Sequence, residues 1–220
     1  MPATEHDSFV ELKSSTVRYG KGEPVFSAVN FALNHTGLHW VKGPNGSGKS
    51  TLLEVLSGYL PLAEGQALVN GHLANSPRAH QGRRVCRTEP ALYPMMSVRD
   101  HIVFASHWVD TEPSSGLQRA ERYGLTPWMD SSAETLSTGN RRRLWLIQCT
   151  LGDFSVLILD EPFNGLDDES RTVLIDELRN WSEERCVLLS AHQLPTELPV
   201  DRVIDWEKVM RGAESIERQQ

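Results

Sequence analysis

The segment GPNGSGKST, from Gly43 to Thr51, constrains the fold of this chain more than any other stretch. It matches the pattern G-x-x-x-x-G-K-[ST] in full, and it lies between a short strand pattern, Leu38 to Val41, and a helical pattern that begins at Lys49. Glycines let the backbone curl so that successive N–H groups point inward, and the N-terminus of the following helix adds its dipole. The segment therefore predicts a phosphate-binding loop in an α/β fold.

The lysine and the hydroxyl groups of this loop suit a triphosphate and its metal ion. Lys49 can reach the β- and γ-phosphates, and the Ser50 hydroxyl can bind Mg²⁺. A chance glycine turn ahead of a helix is the alternative, but the lysine, the serine and both flanking elements argue against it. The predicted nucleotide-binding residues are Gly43, Pro44, Asn45, Gly46, Ser47, Gly48, Lys49, Ser50 and Thr51.

A second motif, VLILDEP, ends a strand pattern with two carboxylates. The apolar run before Asp160 is typical of a strand buried on both faces of a parallel sheet, and ligand sites in α/β folds lie at the carboxyl ends of such strands. Asp160 can hold Mg²⁺ directly or through water, and Glu161 is placed to accept a proton from an attacking water. A structural Asp-Glu pair that caps the next helix is the alternative, which the loop at Gly43 makes weaker.

Apolar and amphipathic segments alternate along the second half of the chain. Residues 169–184 form a helical pattern with Val173, Leu174 and Leu178 on one side, and the apolar run 186–192 follows it. Strand, helix and strand in this order predict a parallel sheet flanked by helices.

The first half of the chain predicts further β-structure and an insertion. Apolar and polar residues alternate over 8–20, which indicates an edge strand and its neighbour. Residues 65–74 predict a hairpin with a turn at Asn70-Gly71. From about residue 92 to about residue 135 the pattern becomes helical and irregular, which predicts a helical insertion.

The segment LSTGN points to a family. It begins at Leu136, twenty-four residues before Asp160, and a helical pattern follows it. It resembles LSGGQ, the signature sequence of ATP-binding cassette ATPases, with threonine and asparagine in place of one glycine and the glutamine. The resemblance implies that this segment grips the γ-phosphate of an ATP bound to the partner subunit, and a helix N-terminus suits an anion. The implied residues are Leu136, Ser137, Thr138, Gly139 and Asn140.

Three further segments match this family in order and spacing. Asp167 in FNGLDD looks like the aspartate of the D-loop. His192 in SAHQ resembles the switch histidine, although a lone histidine would more often be an ordinary surface or buried residue. Tyr19, thirty residues before Lys49, resembles the aromatic residue that stacks on adenine, with a turn aromatic as the alternative. The resemblance implies that Lys49, Glu161 and His192 are catalytic.

The resemblance covers nearly the whole chain and implies its architecture. The expected fold is α/β, a P-loop NTPase core of the RecA-like type with a mostly parallel sheet, an N-terminal antiparallel β-subdomain and an inserted helical subdomain. We expect one domain over 1–220, with the core at about 8–91 and 152–210 and the helical subdomain at about 92–151. The implied cofactors are ATP and Mg²⁺.

One position departs from the family, which normally has a glutamine that binds Mg²⁺ ahead of the helical insertion. In VCRTEPALYPMMSV this glutamine aligns with either Thr88 or Glu89. Glu89 is favoured because it keeps the length and an oxygen ligand, and it would then be a metal ligand with Ser50 and Asp160. A carboxylate there would make nucleotide affinity more dependent on Mg²⁺.

Composition bounds the partners and the location of the chain. A net charge of −7 argues against a nucleic-acid partner. No stretch of about 18 consecutive apolar residues is present and the N-terminus lacks the features of a signal peptide, which predicts a cytoplasmic chain. The cysteines Cys86, Cys149 and Cys186 predict buried free thiols. The first seven residues and residues 214–220 are predicted to be mobile ends.

Basic and aromatic residues around the signature segment have ordinary structural interpretations. At least two arginines of the run RRR, residues 141–143, are predicted to form a solvated helix face, although they are also candidates to assist the γ-phosphate. Core packing is the default for Trp108, Trp128 and Trp145, and an exposed tryptophan would be a candidate anchor for a membrane partner.

The resemblance implies a subunit that binds and hydrolyses ATP to move a substrate through a separate membrane permease. The chain would be peripheral to the inner face of the cell membrane and would pair with a second ATP-binding cassette subunit, either identical or different. Likeness to the stand-alone subunits of small bacterial exporters favours export. The alternatives are an importer subunit, a soluble ATPase for cluster assembly or DNA repair, and a nucleotide-sensing subunit without hydrolysis.

Overall fold

Two β-sheets and seven helices organise the computed structural model, which describes residues 8–212. The predicted mobile ends, the first seven residues and residues 214–220, lie outside the described residues. The strands are β1 Val10–Arg18, β2 Pro24–Leu33, β3 Gly37–Lys42, β4 Glu64–Val69, β5 His72–Leu73, β6 Arg83–Cys86, β7 Val156–Asp160, β8 Cys186–Ser190 and β9 Arg202–Asp205. The helices are α1 Lys49–Leu56, α2 Pro77–Gln81, α3 Val98–Trp108, α4 Pro113–Arg122, α5 Thr138–Cys149, α6 Asp168–Glu184 and α7 Trp206–Met210, with 3₁₀ turns at Thr126–Trp128 and Ala133–Thr135.

The parallel sheet has the strand order β6-β7-β8-β3-β9. Strands β7 and β8 are continuous apolar runs because both of their faces are covered. One face packs against α1 and the antiparallel sheet, and the other packs against α6, where Leu174 and Leu178 are fully buried as predicted. Val41 and Asp160 both pair with Ser190, so the carboxyl ends of β3, β7 and β8 meet at one edge of the sheet.

The antiparallel sheet has the strand order β2-β1-β4-β5. The prediction that 8–20 contains an edge strand and its neighbour is wrong, because these residues form the single strand β1, which pairs on both sides. The hairpin between β4 and β5 is confirmed. Its turn residues Asn70 and Gly71 have φ angles of 51° and 72°, as a two-residue hairpin turn requires. The two sheets and their helices confirm the predicted α/β fold class.

Helices α3, α4 and α5 share an apolar cluster of their own. Its fully buried members include Ile102, Ala120, Leu144 and Ile147. Helix α3 begins with a capping box, in which the Ser97 hydroxyl accepts from the Asp100 N–H and the Asp100 carboxylate accepts from the Ser97 N–H. The helical insertion is therefore present, while its limits at about 92 and 151 stay a prediction.

A buried carboxylate links α4 to α6. Glu177 on α6 accepts two hydrogen bonds from the Arg119 guanidinium, both at 2.8 Å, and one from the Tyr123 hydroxyl at 2.9 Å. Arg122 Nη1 lies 3.4 Å from the same carboxylate. Burial, followed by the charge of Glu177, raises the pKa of the Tyr123 hydroxyl well above its ordinary value. This cluster ties the helical insertion to the helix that covers the parallel sheet.

Several aromatic side chains around α3 lie on the surface. The core-packing prediction is wrong for Trp108 and Trp128, which are 82% and 43% exposed, whereas Trp145 is half-buried and donates its Nε1–H to the Arg87 carbonyl.

The three cysteines are free thiols, and Cys86 and Cys186 are buried. None of the helices described between residues 8 and 212 is long and apolar enough to cross a membrane.

Candidate nucleotide-binding site

The glycine-rich loop lies between β3 and α1, at the carboxyl edge of the parallel sheet. Gly46 and Gly48 have φ angles of 78° and 88°, which glycine adopts freely and other residues rarely adopt. A Cβ atom at Gly48 would also lie 2.9 Å from the Val25 Cγ1 atom. The loop backbone can therefore curl against β2 only because glycine stands at this position.

The loop encloses a cavity of about 430 Å³. The Lys49 side chain is buried there and donates to the carbonyls of Gly43 and Pro44, both at 2.9 Å. Within the described part of the chain the buried Ser47 hydroxyl has no hydrogen-bond partner. An ammonium group and an unpaired hydroxyl in one glycine-rich loop suit a polyphosphate. The cavity is lined by Tyr19, Val25, Asn45, Gly46, Gly48, Lys49, Ser50, Thr51 and Glu161.

Three hydroxyl groups surround the Asp160 carboxylate at the end of β7. The Ser50 hydroxyl lies 3.4 Å from Asp160 Oδ1, to which the Ser190 hydroxyl also donates. The Thr88 hydroxyl donates to Asp160 Oδ2 at 3.0 Å. Carboxylate and hydroxyl oxygens are the ligands that Mg²⁺ prefers, so the donor set formed by Ser50 and Asp160 fits this ion. We name the hydroxyls of Ser50, Thr88 and Ser190 the hydroxyl cage.

Glu161 follows Asp160 directly and lines the same cavity as Lys49. Its φ angle of 48° is unusual for a residue with a side chain, and its N–H donates to the Ser190 carbonyl at 3.1 Å. Its carboxylate oxygen Oε2 accepts from the His192 N–H at 3.2 Å. His192 is exposed and, together with Glu161, lines an adjoining cleft of about 790 Å³. The geometry thus places a carboxylate at the cavity wall with a histidine next to it.

The structure places Thr88, and not Glu89, beside Asp160. Glu89 is exposed and lines a separate groove with Leu92 and Arg141. The favoured assignment of Glu89 as a metal ligand therefore does not match this geometry. Thr88 and Glu89 lie in a bend after β6, where the Thr88 carbonyl accepts from Arg142 and its hydroxyl donates to Asp160.

The signature segment begins α5. The Ser137 hydroxyl caps this helix by accepting from the Asn140 N–H at 3.2 Å, and Leu136 is buried beneath it. A Cβ atom at Gly139 would lie 3.3 Å from the carbonyl oxygen of Gly165, which belongs to the loop before α6. Among the described residues, the lining of the cavity at the glycine-rich loop includes no member of the segment 136–140. The segment is separate from the nucleotide cavity of its own chain, and Ser137 and Thr138 at its helix N-terminus are exposed.

Asp167 caps α6 and pairs with the arginine run of α5. Its carboxylate accepts from the Ser170 N–H at 3.1 Å and from the Arg143 guanidinium. These hydrogen bonds to Ser170, and then the charge of Arg143, lower the pKa of the Asp167 carboxyl. The predicted solvated face of residues 141–143 is wrong, because Arg142 is 3% exposed and Arg143 holds Asp167.

Tyr19 lies at the rim of the cavity. Its hydroxyl is 3.2 Å from the Thr51 hydroxyl, and its ring is 57% exposed. An exposed ring at the cavity rim is available for stacking on a base, and this role stays a prediction.

Two residues contact Asp160 or Glu161 in ways that the sequence does not predict, Ser190 and Arg142. The only sequence signal for Ser190 is its place as the polar residue that ends the apolar run of β8. Arg142 donates to the carbonyl of Glu161 at 2.9 Å, and the composition of its helix does not indicate this contact.

Comparisons with known proteins show what this chain is similar to. Residues 26–164 match the family model described as ABC transporter. The cytochrome c biogenesis ATP-binding export protein CcmA of Chelativorans sp. is 33% identical over 174 residues, which cover 79% of this chain and 86% of that protein. The taurine import ATP-binding protein TauB of Ruegeria pomeroyi is 30% identical over 188 residues, which cover 80% of this chain and 67% of that protein.

Solved structures show the same fold. The structure of an ATP-binding subunit of an ABC transporter matches with a TM-score of 0.79 at 22% identity, over 90% of this chain and 87% of that one. Together with the family match and the 33% identity to CcmA, this likeness shows that the chain belongs to the ABC transporter family, as an ATP-binding subunit.

Proposed function

We propose that this chain binds ATP with Mg²⁺ and hydrolyses it as one half of a dimer, to power export of a substrate through a separate membrane permease. The observation that carries the proposal is the placement of Glu161 on the wall of the cavity formed by the loop around Lys49. A phosphate-binding loop and a carboxylate on one cavity bring a γ-phosphate and a proton acceptor together.

The loop holds the phosphates. An ammonium group has three N–H donors, and Lys49 uses two of them on loop carbonyls, which leaves one for a phosphate oxygen. The loop N–H groups and the N-terminus of α1 bind the remaining phosphate charge. Ser50 and Asp160 would hold Mg²⁺, which neutralises and orients phosphate oxygens when bound.

Glu161 acts as the general base in this proposal. The backbone N–H of His192 orients the Glu161 carboxylate, which accepts a proton from the water that attacks the γ-phosphate. In this proposal the His192 imidazole, which lines the adjoining cleft with Glu161, positions that water and contacts the γ-phosphate. The strained backbone of Glu161 supports a functional role, since such strain is concentrated at active sites.

A second subunit completes the site. Separation of segment 136–140 from its own cavity supports a role in trans, where Ser137 and Gly139 at the N-terminus of α5 bind the γ-phosphate held by the partner. Asp167 lies on the same side of the chain because Arg143 ties it to α5. A monomer would hydrolyse poorly, since it lacks this part of the electrostatic stabilisation. The partner subunit is either a second copy or a different cassette.

The permease contact is proposed to include an aromatic patch, defined as Tyr93, Phe104 and Trp108. These side chains are 57%, 49% and 82% exposed, and the rings of Tyr93 and Phe104 meet edge to face at 5.9 Å. Phe104 and Trp108 are four residues apart on α3 and so share one face. Exposed aromatic clusters mark interaction sites, and this one supports a protein partner at the inner face of the cell membrane. The net charge of −7 supports a partner other than nucleic acid.

Relatives with both transport directions match the chain. CcmA is named an export protein and is 33% identical, and TauB is named an import protein and is 30% identical. Likeness of the segments around LSTGN and LILDEP to the stand-alone subunits of small bacterial exporters supports export. Import is the second candidate direction, and a soluble ATPase for cluster assembly or DNA repair is the candidate without transport.

The dimer and the hydrolysis are tested by Glu161→Gln. This variant keeps the shape of the side chain but removes the base, so we expect loss of ATPase activity and an ATP-dependent dimer in light scattering. A variant that stays monomeric at saturating ATP contradicts the closure of two subunits around ATP.

The transport role is tested by affinity purification of the tagged chain from detergent-solubilised membranes of its host. We expect a membrane protein with several spans in equal amount, which is lost with Phe104→Ala/Trp108→Ala and kept with Trp128→Ala. Recovery of a soluble partner without a membrane protein would refute the proposed role in transport and leave only the proposed ATPase activity.

A further inference from the structure

A buried arginine, Arg142, connects α5, the helix that begins with the signature segment, to the end of β7 at Asp160 and Glu161. Arg142 is 3% exposed and donates four hydrogen bonds, all to backbone carbonyls. Two go to Arg87 and Thr88 after β6, both at 2.7 Å. The other two go to Asp160 at 3.3 Å and Glu161 at 2.9 Å, at the end of β7. One guanidinium therefore holds two adjacent strand ends and one helix together.

The carbonyls that Arg142 binds belong to residues of the site. Thr88 is a member of the hydroxyl cage around Asp160, and Glu161 is the proposed base. The backbone of Glu161 is in the left-handed region, which a residue with a side chain keeps only when its surroundings hold it there. Among the ion pairs of residues 8–212 none includes Arg142, so carbonyl dipoles compensate its charge.

We propose that Arg142 is a positioning residue for hydrolysis, which fixes the backbone of Glu161 and Thr88 and couples it to the position of α5. The inference rests on the proposed ATP hydrolysis. Since the N-terminus of α5 is the segment proposed to contact the partner's nucleotide, a displacement of α5 on dimerisation reaches the base of the same chain through this guanidinium.

Lysine cannot replace arginine in this role. The guanidinium is a planar fork with five N–H donors, and its two terminal nitrogens reach carbonyls on two strands at once. A lysine ammonium is a single point with three donors at the end of a flexible stem, so it cannot bind both strand ends in the same geometry. Arg142→Lys therefore keeps the charge and removes the bridge.

Arg83 offers a matched control. It is also buried, 5% exposed, and donates only to backbone carbonyls, to Leu56 at 2.7 Å, to Ala74 at 2.9 Å and to Ser57. None of these three carbonyls belongs to a residue that lines the nucleotide cavity or contacts Asp160. Arg83→Lys thus removes the same kind of contact at a position that supports only the fold.

The experiment compares Arg142→Lys, Arg83→Lys and the unchanged protein. It measures the melting temperature, the affinity for a fluorescent ATP analogue, kcat for ATP, and hydrogen exchange of the segment 156–164. For Arg142→Lys we expect kcat to fall about tenfold or more, because small misplacements of a catalytic group are costly, while ATP affinity stays within about twofold. Exchange in 156–164 should become faster. Arg83→Lys should lower the melting temperature and leave kcat within about twofold.

Two outcomes would overturn the role of Arg142. The first is a kcat for Arg142→Lys that is unchanged or falls only as much as that of Arg83→Lys. The second is hydrogen exchange in 156–164 that matches the unchanged protein. If the unchanged protein hydrolyses no ATP even together with the membrane protein and any second cassette that co-purify with it, the proposed function fails, and the exchange comparison still decides whether Arg142 holds the strand end. Should Arg142→Lys not fold, Arg142→Gln, whose amide reaches one strand end only, takes its place in the same comparison.

Discussion

Replacing Glu177 by glutamine tests how the helical insertion is held to the core. The change keeps the shape of the side chain and removes its charge. Glu177 is 5% exposed as a side chain, and its principal partner Arg119 is 13% exposed, so the arginine charge stays buried after the substitution. Removal of one member of a buried ion pair costs about 3–5 kcal/mol, because the remaining charge has lost its partner.

The structure places this variant at the lower end of that range. Arg119 Nη1 keeps the carbonyls of Ile147 and Thr150, both at 3.3 Å, and the glutamine oxygen still accepts one bond. A loss of about 3 kcal/mol in a domain of this size corresponds to a fall in melting temperature of about 6–12 °C. Calorimetry at neutral pH measures it.

The control is Asp153→Asn. The Asp153 carboxylate lies 3.6 Å from the Arg185 guanidinium but is 97% exposed, so its loss should shift the melting temperature by no more than about 4 °C. Equal shifts in the two variants would refute the argument from burial. The double variant Glu177→Met/Arg119→Met should recover part of the loss, because no uncompensated buried charge remains, while the Tyr123 hydroxyl still lacks its acceptor.

Three more outcomes are expected. Gly48→Ala should weaken ATP binding and lower the free energy of unfolding more than Gly46→Ala does. An alanine at position 46 meets only backbone strain of about 1–2 kcal/mol, whereas an alanine at position 48 also meets the Val25 side chain at 2.9 Å. An ATP titration and a urea melt measure the two effects. Thr88→Val should change the Mg²⁺ dependence of ATP affinity, whereas Glu89→Gln should not, and the reverse result would restore Glu89 as the metal ligand. Asp167→Ala should destabilise by about 0.5–2 kcal/mol at neutral pH. Folding lowers the pKa of the Asp167 carboxyl, so its contribution to the free energy of unfolding is full above the ordinary pKa of 3.8 and is lost as the pH falls through the folded pKa. The melting temperatures of Asp167→Ala and of the unchanged protein should therefore converge below pH 3.8.

The sequence predicted the elements whose burial it encodes directly. The apolar runs of β7 and β8 predict strands that are covered on both faces. The carboxylates at the end of β7 then lie at the same sheet edge as the glycine-rich loop. The alternation in β1 shows that one face is covered, but it carries no information about the number of neighbouring strands. It therefore does not distinguish an interior strand from an edge strand. Hydrogen bonding along the sheet edges is independent of side-chain pattern.

Two predictions around the site, the choice of Glu89 and the solvated face of residues 141–143, differ from the structure because their contacts also depend on backbone geometry. The choice between Thr88 and Glu89 depends on a register of one residue, which the residue types alone do not specify. Arg142 lies in a run of three arginines, and its partners are backbone carbonyls, which every residue possesses. No partner residue exists in the sequence to signal the contact, so the burial of this charge is visible only in the folded chain.

The hydroxyl cage has a consequence for how fast the site responds to a cation. Each hydroxyl of Ser50, Thr88 and Ser190 exchanges a donated hydrogen for a lone pair by turning about one bond, without moving a heavy atom. Ser50 and Asp160 would hold Mg²⁺, and because this ion gives up its water reluctantly, the rate of loading should depend on the identity of the metal as well as on substitutions in the loop.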